Sequence, residues 1–218
     1  MKELFIIRHG ETEWNVQQRM QGRLDSPLTE QGRSQADAHG TLLKSLGGLD
    51  RIWVSPAGRT TETAYIINSY AQATMEFAEP LLERDCGDWG GLTLNEIQDQ
   101  YPEAWAARLQ DAYLHKPPNG ENLHDMLLRV HEFLDDLFGL DWARIGLITH
   151  GVMSKVILKY YLGLSEVECT RVRHPNDLLY RLTFHPELIE SHHYINGQGP
   201  VDGLLRSDVA LANLPQSQ

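Results

Sequence analysis

The sequence predicts an α/β fold, a mainly parallel sheet covered by helices. Three observations carry this. Short apolar runs of strand length recur at residues 4–7, 51–54 and 145–148. Each stops at a polar turn containing glycine: Arg8-His9-Gly10, Ser55-Pro56-Ala57-Gly58-Arg59 and Thr149-His150-Gly151. Helical spacing resumes after each turn, and strand–turn–helix repetition is the pattern of crossover-linked parallel strands.

The elements follow in order. The first run reads as a buried strand, and a polar loop then extends to Ser26-Pro27. Thr29 is placed to cap a helix opening at Glu30-Gln31-Gly32. The second strand, at 51–54, leads into a helix carrying Thr63, Ala64 and Ile67. Residues 86–120 break the rhythm with Gly87, Gly90, Gly91, Pro102, Pro117 and Pro118, and with a capping-box pattern at Thr93 and Glu96. This stretch is read as a short helical excursion over the sheet. Asn122 then caps a helix whose Leu123, Leu127, Val130, Leu134 and Leu137 share one face. The strand at 145–148 leads into a helix with Val156, Ile157 and Tyr160. Residues 178–184 alternate as an antiparallel or edge strand does, and 211–218 read as a frayed tail. One domain over 1–210 is expected, with no internal repeat.

Composition narrows the function. The 218 residues suffice for one well-buried core, and 41% hydrophobic with 22% charged residues is ordinary for a globular enzyme. The formal charge of −11 argues against nucleic acid or an anionic membrane as partner. Cys86 and Cys169 lie far apart without metal-type spacing and are read as reduced thiols. The opening apolar run is too short for a signal sequence, and no run approaches a membrane span, so a cytoplasmic location is expected.

The chemistry lies at the strand ends. In a parallel sheet the carboxyl ends share one edge, where ligands bind, so Arg8, His9, Arg59 and His150 can converge there. Two arginines grip a tetrahedral dianion with paired hydrogen bonds. An imidazole between them can attack phosphorus, and a second histidine can stabilise the charge that develops. At about 4 kcal/mol per charge pair at roughly 4 Å in a medium of intermediate polarity, such local cations outweigh the distant, screened net charge. A leaving oxygen also needs an acid. Glu83, in Leu81-Leu82-Glu83-Arg84-Asp85, stands at the end of an apolar stretch, and partial burial beside a phosphate would raise its pKa.

The run Arg8-His9-Gly10-Glu11-Thr12, with Asn15, Gln21-Gly22 and Asp25-Ser26-Pro27-Leu28-Thr29-Glu30-Gln31-Gly32, resembles the histidine phosphatase superfamily, also called phosphoglycerate mutase-like. Residues 55–64, Glu83 with Gly87-Asp88-Trp89-Gly90-Gly91, Gly120-Glu121 and Thr149-His150-Gly151 follow in that family's order, so the resemblance spans roughly residues 3–185. It implies a three-layer α/β/α sandwich in which His9 is phosphorylated. It further implies that Arg8, Arg59 and His150 hold the phosphoryl group and that Glu83 donates the proton. Asn15, Gln21 and Gly22 are implied phosphate or substrate contacts, and Gly151 a backbone N–H donor at a helix start. No metal or organic cofactor is implied.

Mutases and phosphatases share this core. The mutases carry a longer excursion with adjacent arginines and a lysine for the substrate carboxylate. Between Cys86 and Gly120 this chain has only Arg108 and Lys116 as cations. The 21–27 stretch resembles the compact phosphatase branch, which includes broad-specificity and alpha-ribazole phosphatases. Hydrolysis of a small phosphorylated metabolite is therefore the favoured reading. Phosphoglycerate mutase activity is the first alternative, and a non-catalytic phosphate-binding module the second. The sequence sets no oligomeric state. His192-His193 has no third metal ligand in spacing and reads as a surface pair. Glu121 reads as a helix-start carboxylate favouring the dipole. Trp89, Tyr101, Trp105 and Tyr113 either line an apolar mouth or pack the excursion onto the sheet.

Overall fold

A computed structural model describes residues 1–207; the tail read at 211–218 lies outside the described residues. Seven strands form one sheet in the order β3-β2-β4-β1-β5-β6-β7. They are β1 (Lys2–Arg8), β2 (Arg51–Val54), β3 (Thr74–Phe77), β4 (Arg144–Thr149), β5 (Leu178–Phe184), β6 (Ile189–Ile195) and β7 (Gln198–Asp202). The β3-β2-β4-β1 half is parallel, and β5, β6 and β7 extend it in antiparallel fashion.

The helices are α1 (Glu13–Val16), α2 (Glu30–Ser45), α3 (Gly58–Ala71), α4 (Leu94–Gln100), α5 (Pro102–Gln110), α6 (Leu123–Gly139), α7 (Gly151–Leu162) and α8 (Glu166–Arg171). Their starts follow local chemistry. The Thr29 side chain accepts from the Gly32 N–H, and Thr93 and Asn122 each close a reciprocal capping box.

The strand β1 is apolar without alternation because both of its faces are covered. Leu4 and Ile6 point into a core built with Val130 and Leu134 of α6 and Met153 and Val156 of α7. Phe5 and Ile7 point the other way, against Leu43 of α2 and Ala64 and Ile67 of α3. All four are fully buried. At about 1.5–3 kcal/mol for each large apolar side chain removed from water, this strand anchors both layers. The expected α/β sheet between helical layers, parallel through its core strands, is therefore the architecture observed, and it fixes the edge on which the parallel strands end.

The 178–184 strand is antiparallel to both of its neighbours, β1 and β6, as the first of its two readings has it; it lies inside the sheet, so the edge alternative does not hold. Beyond it, β6 and β7 were not legible from apolar periodicity, because β6 reads Ser191-His192-His193-Tyr194. A local signal was present nonetheless. Asn196-Gly197 links β6 to β7, with φ of 50° and 72°, and this dipeptide favours tight hairpins. The His192-His193 pair is split across the two faces of β6, as successive strand residues are. His192 meets Asp202 at 3.2 Å, while His193 is buried and its Nδ1 lies 2.9 Å from the Gly203 carbonyl. The reading of both as surface residues therefore fails for His193.

Candidate active site

Three neighbouring strands, β2, β4 and β1, end side by side, and their turns bring Arg8, His9, Arg59 and His150 together. His9 follows β1, and its backbone is held on two sides. Its N–H donates to the Thr149 carbonyl at 3.0 Å, and its carbonyl accepts from the Asn176 amide at 2.8 Å. Gly10 then permits a backbone approach that no side chain would allow. A Cβ there would lie 2.2 Å from the Gly32 carbonyl oxygen at the start of α2.

His9 is nearly buried, and its Nδ1 lies 2.7 Å from the Gly10 carbonyl. A carbonyl only accepts, so Nδ1 carries the proton and Nε2 keeps a free lone pair. Burial, with Arg59 and Arg8 nearby, holds the imidazole pKa well below its ordinary value of 6.5. The ring is thus a neutral base or nucleophile.

Arg59 opens α3 and is almost wholly buried. Its Nη1 donates to Asp25 at 2.9 Å and to the Leu24 carbonyl at 2.7 Å; its Nη2 reaches the Gly22 carbonyl at 2.9 Å and His150 Nδ1 at 3.0 Å. Its Nε–H is buried without an acceptor among the described residues. Arg8 is similar in part: Nη1 donates to the His174 carbonyl at 2.7 Å, and Nε has no partner among the described residues. Burial is the main reason that the Arg8 pKa falls to about 10, with Glu83 opposing the fall and Arg59 reinforcing it. Arg8 therefore stays a cation at neutral pH. Two cations with vacant donors beside a neutral imidazole make a site short of an anion.

His150 lies deeper than the sequence reading placed it. It is fully buried, 5.4 Å ring to ring from His9, and both nitrogens are engaged. Nδ1 accepts from Arg59, so Nε2 carries the proton and donates to Ser55 Oγ at 2.7 Å. Burial and the neighbouring cations Arg59 and Arg8 keep its pKa well below 6.5. In this structure it orients Arg59, and neither nitrogen is free for a phosphoryl oxygen.

Glu83 follows a short 3-10 turn, Glu79–Leu81, which Thr149 Oγ1 ties to β4 through the Leu81 carbonyl at 2.7 Å. Its carboxylate sits on the first turn of α7. Oε2 accepts from the Val152 N–H at 3.0 Å, and Oε1 accepts from the Met153 and Arg84 N–H groups at 3.1 and 2.8 Å. The helix-start donors expected at Gly151 are thus those of Val152 and Met153, and they serve Glu83. Gly151 has a different role, since a Cβ there would lie 3.3 Å from the Arg8 guanidinium carbon.

Glu121 is more than a dipole partner. It accepts from Arg129 with both oxygens, at 3.0 and 3.1 Å, and from the Asp85 N–H at 2.9 Å. Arg129 in turn donates to the carbonyls of Pro80 and Leu82, so this pair holds the segment carrying Glu83.

A cleft of about 620 Å³, open to solvent, is lined by Arg8, His9, Arg59 and Glu83 and also by Asn15, Gln21 and Gly22. Asn15 Oδ1 accepts from the Thr12 N–H and hydroxyl, so its amide nitrogen is the group left for an anion. Gln21 donates its amide to Thr12 Oγ1 at 2.7 Å, and its buried Oε1 has no partner among the described residues. Trp89 and Trp105 pack with Ile97 and Tyr101, and Tyr113 joins the main core, so packing rather than a mouth accounts for these aromatics. Asp25, Ser55, Asn176 and Arg129 escaped sequence reasoning. Asp25 and Ser55 stand inside the conspicuous motifs, whereas Asn176 and Arg129 carry no local signal.

Residues 4–196 match the family model of the Histidine phosphatase superfamily (branch 1). The chain is 32% identical to a probable phosphoglycerate mutase, GpmB, of Salmonella arizonae, over 84% of this chain and 86% of that protein. Among solved structures, a mycobacterial glucosyl-3-phosphoglycerate phosphatase superposes with a TM-score of 0.78 at 28% identity, covering 86% of this chain and 93% of that one. Bacillus stearothermophilus YhfR gives 0.79 at 30% identity, covering 91% and 98%. With the strand-end arrangement described above, this match places the chain in branch 1 of the histidine phosphatase superfamily.

Proposed function

We propose that this chain is a metal-independent phosphomonoesterase that hydrolyses small phosphorylated metabolites through a phosphohistidine on His9. The observation that carries the reading is the free Nε2 of neutral His9 between two buried guanidinium groups, each with a vacant Nε–H. A phosphoryl dianion supplies the acceptors that Arg8 and Arg59 lack, and sets phosphorus within reach of His9.

In the first step His9 Nε2 forms a bond to phosphorus as the bond to the ester oxygen breaks. Glu83, protonated on Oε2, gives its proton to the departing alkoxide. Oε2 suits this role because it accepts one backbone N–H, whereas Oε1 accepts two. In the second step Glu83, now a carboxylate, takes a proton from water as the water oxygen attacks phosphorus. The N–P bond breaks, and neutral His9 and protonated Glu83 return. The arginines stabilise the charge on the equatorial oxygens in both steps. His150 contributes from beneath the cleft by fixing Arg59. Asn15 and Gln21 border the same cleft as further contacts for substrate.

The substrate reading extends to a cytoplasmic enzyme acting on small metabolites. Among the described residues, no helix is long and apolar enough to cross a membrane. A second reading, phosphoglycerate mutase activity, is favoured by the name of the Salmonella relative. One assay separates the two. Phosphate release is followed with a chelator present over p-nitrophenyl phosphate, sugar phosphates, phosphoglycerates, nucleotides and alpha-ribazole phosphate. Chelator-resistant hydrolysis is the expected result. Interconversion of 3- and 2-phosphoglycerate without phosphate release would establish the mutase instead.

A further inference from the structure

His9 and the residues after it are gripped by side chains that the proposed mechanism leaves unused. The peptide joining His9 to Gly10 is held at both of its polar groups. Its carbonyl accepts from Asn176 Nδ2 at 2.8 Å, and its N–H donates to Thr63 Oγ1 at 3.1 Å. The next peptide, between Gly10 and Glu11, is held in the same way. Its N–H donates to Gln35 Oε1 at 2.9 Å, and its carbonyl faces His9 Nδ1 at 2.7 Å. Asn176 comes from the loop before β5, Thr63 from α3 and Gln35 from α2, so three separate elements converge on two consecutive peptides.

These grips are themselves supported. Thr63 is fully buried, and its hydroxyl donates to the Arg59 carbonyl at 2.7 Å, which leaves a lone pair for the Gly10 N–H. The Asn176 carbonyl lies 3.2 Å from Nε2 of His39, a buried ring of α2. The same loop supplies the His174 carbonyl that accepts from Arg8. Each residue has only two soft backbone dihedrals, so pinning successive planar peptides leaves the turn little freedom. The Gly10 carbonyl is therefore fixed against the imidazole.

That carbonyl decides which ring nitrogen reacts. A neutral imidazole carries its proton on either nitrogen, and the partner of one nitrogen settles which is left bare. With the proton on Nε2, the Nδ1 lone pair would face the lone pairs of a carbonyl oxygen only 2.7 Å away. A carboxylate in that place would orient the ring too, but its charge would favour the imidazolium and remove the nucleophile. Asn176, Thr63 and Gln35 are uncharged, so they orient the carbonyl without that penalty.

We infer that Asn176 and Thr63, with Gln35, are positioning residues: they clamp the peptides on either side of Gly10, hold its carbonyl on His9 Nδ1, and so keep Nε2 as the bare nitrogen left to attack phosphorus. The inference rests on the phosphohistidine reading above and says how this chain prepares its nucleophile.

The test joins nitrogen NMR of the chain, isotopically labelled at its histidines, to kinetics with p-nitrophenyl phosphate. The His9 signals are assigned by their loss in His9→Ala. At neutral pH the wild type is expected to show Nδ1 protonated and Nε2 bare. Asn176→Leu and Thr63→Val should each place the proton on Nε2 in part of the population. Each should also lower kcat about 10–10²-fold while KM stays within about twofold. Thr63→Ser keeps the hydroxyl and should retain the wild-type signals and most of kcat. Folded variants whose kcat falls while the His9 signals stay at their wild-type positions would show a merely structural role and overturn the inference. So would a wild-type ring protonated on Nε2, a result that needs no variant to fold. If no ester, including p-nitrophenyl phosphate, releases phosphate, it is the phosphatase reading that fails. The NMR arm needs no substrate and still decides the clamp: a proton that moves in both variants supports it, and one that moves in neither overturns it.

Discussion

Two cationic regions of the molecule, the cradle around His9 and a buried cluster beyond Glu83, are built in opposite ways. The cradle around His9 comes from three adjacent strand ends, and each contributes a contiguous motif: Arg8-His9-Gly10, the 55–59 turn and Thr149-His150-Gly151. The cluster beyond Glu83 is assembled from isolated residues, Arg84 before the excursion, Arg108 at the end of α5 and His115 beyond it. In the cradle Arg59 is bonded through both terminal nitrogens and Arg8 through Nη1, and each leaves its Nε–H without an acceptor among the described residues. In the cluster each arginine leaves two nitrogens vacant. The contrast teaches what makes a cationic group readable along the chain: the cradle's residues stand inside contiguous motifs at strand ends, whereas those of the cluster meet only through folding.

Substitutions can break that comparison. The largest effect is expected for His9→Ala, which removes the nucleophile and should lower kcat by about 10⁴-fold or more on every ester, with the circular dichroism spectrum kept. Next, Arg59→Gln removes a cation that contacts the phosphoryl group in all substrates. A loss of about 10²–10³-fold in kcat is expected, alike for p-nitrophenyl phosphate and alkyl phosphates. A loss that depended strongly on the rest of the substrate would contradict a contact of Arg59 with the phosphoryl group that all the esters share. Glu83→Gln sharpens the comparison along the leaving group. With an alkyl ester, loss of the acid should cost about 10²-fold or more. With p-nitrophenyl phosphate, whose leaving group needs no proton, the loss in the first step should be much smaller.

The smallest expected effect is on stability. His9, His150, His174 and His39 all have pKa values pushed below 6.5 by burial. Below that pH the unfolded chain binds protons that the folded chain refuses, so stability falls as the solution is acidified from pH 7. The melting temperature should therefore drop between about pH 7 and pH 5. Inorganic phosphate should offset part of the drop by binding the folded cradle. A melting temperature that rose on acidification would contradict neutral burial of these rings.

Most of the parallel half was legible because its strands are apolar on both faces and stop at turns that hold charge. The same sequence logic located His9, Arg8, Arg59 and Glu83 on one edge. It misjudged depth: His150 matches its motif but lies beneath the cleft, both nitrogens committed to Ser55 and Arg59. It also missed partnerships at long range, such as Asn176 on the His9 carbonyl and Arg129 on the Glu83 segment. Neither has a spacing signature, since each acts through the backbone of a distant residue. The polar β6-β7 hairpin escaped apolar periodicity, although its Asn196-Gly197 turn was readable. The absence of adjacent arginines in the excursion was correctly read along the chain. It carried little information about space, because folding brings Arg84 and Arg108 into one cluster.

The central claim is covalent transfer to His9, and the direct test is a rapid-mixing experiment quenched in alkali, where phosphohistidine survives. Protein mixed with p-nitrophenyl phosphate is sampled within one turnover, digested, and read by mass spectrometry. The account predicts a phosphoryl group on the peptide carrying His9, formed no later than free phosphate and absent from His9→Ala. Phosphate released at the full rate with no phosphopeptide at any sampled time, or with the label on another residue, would contradict it.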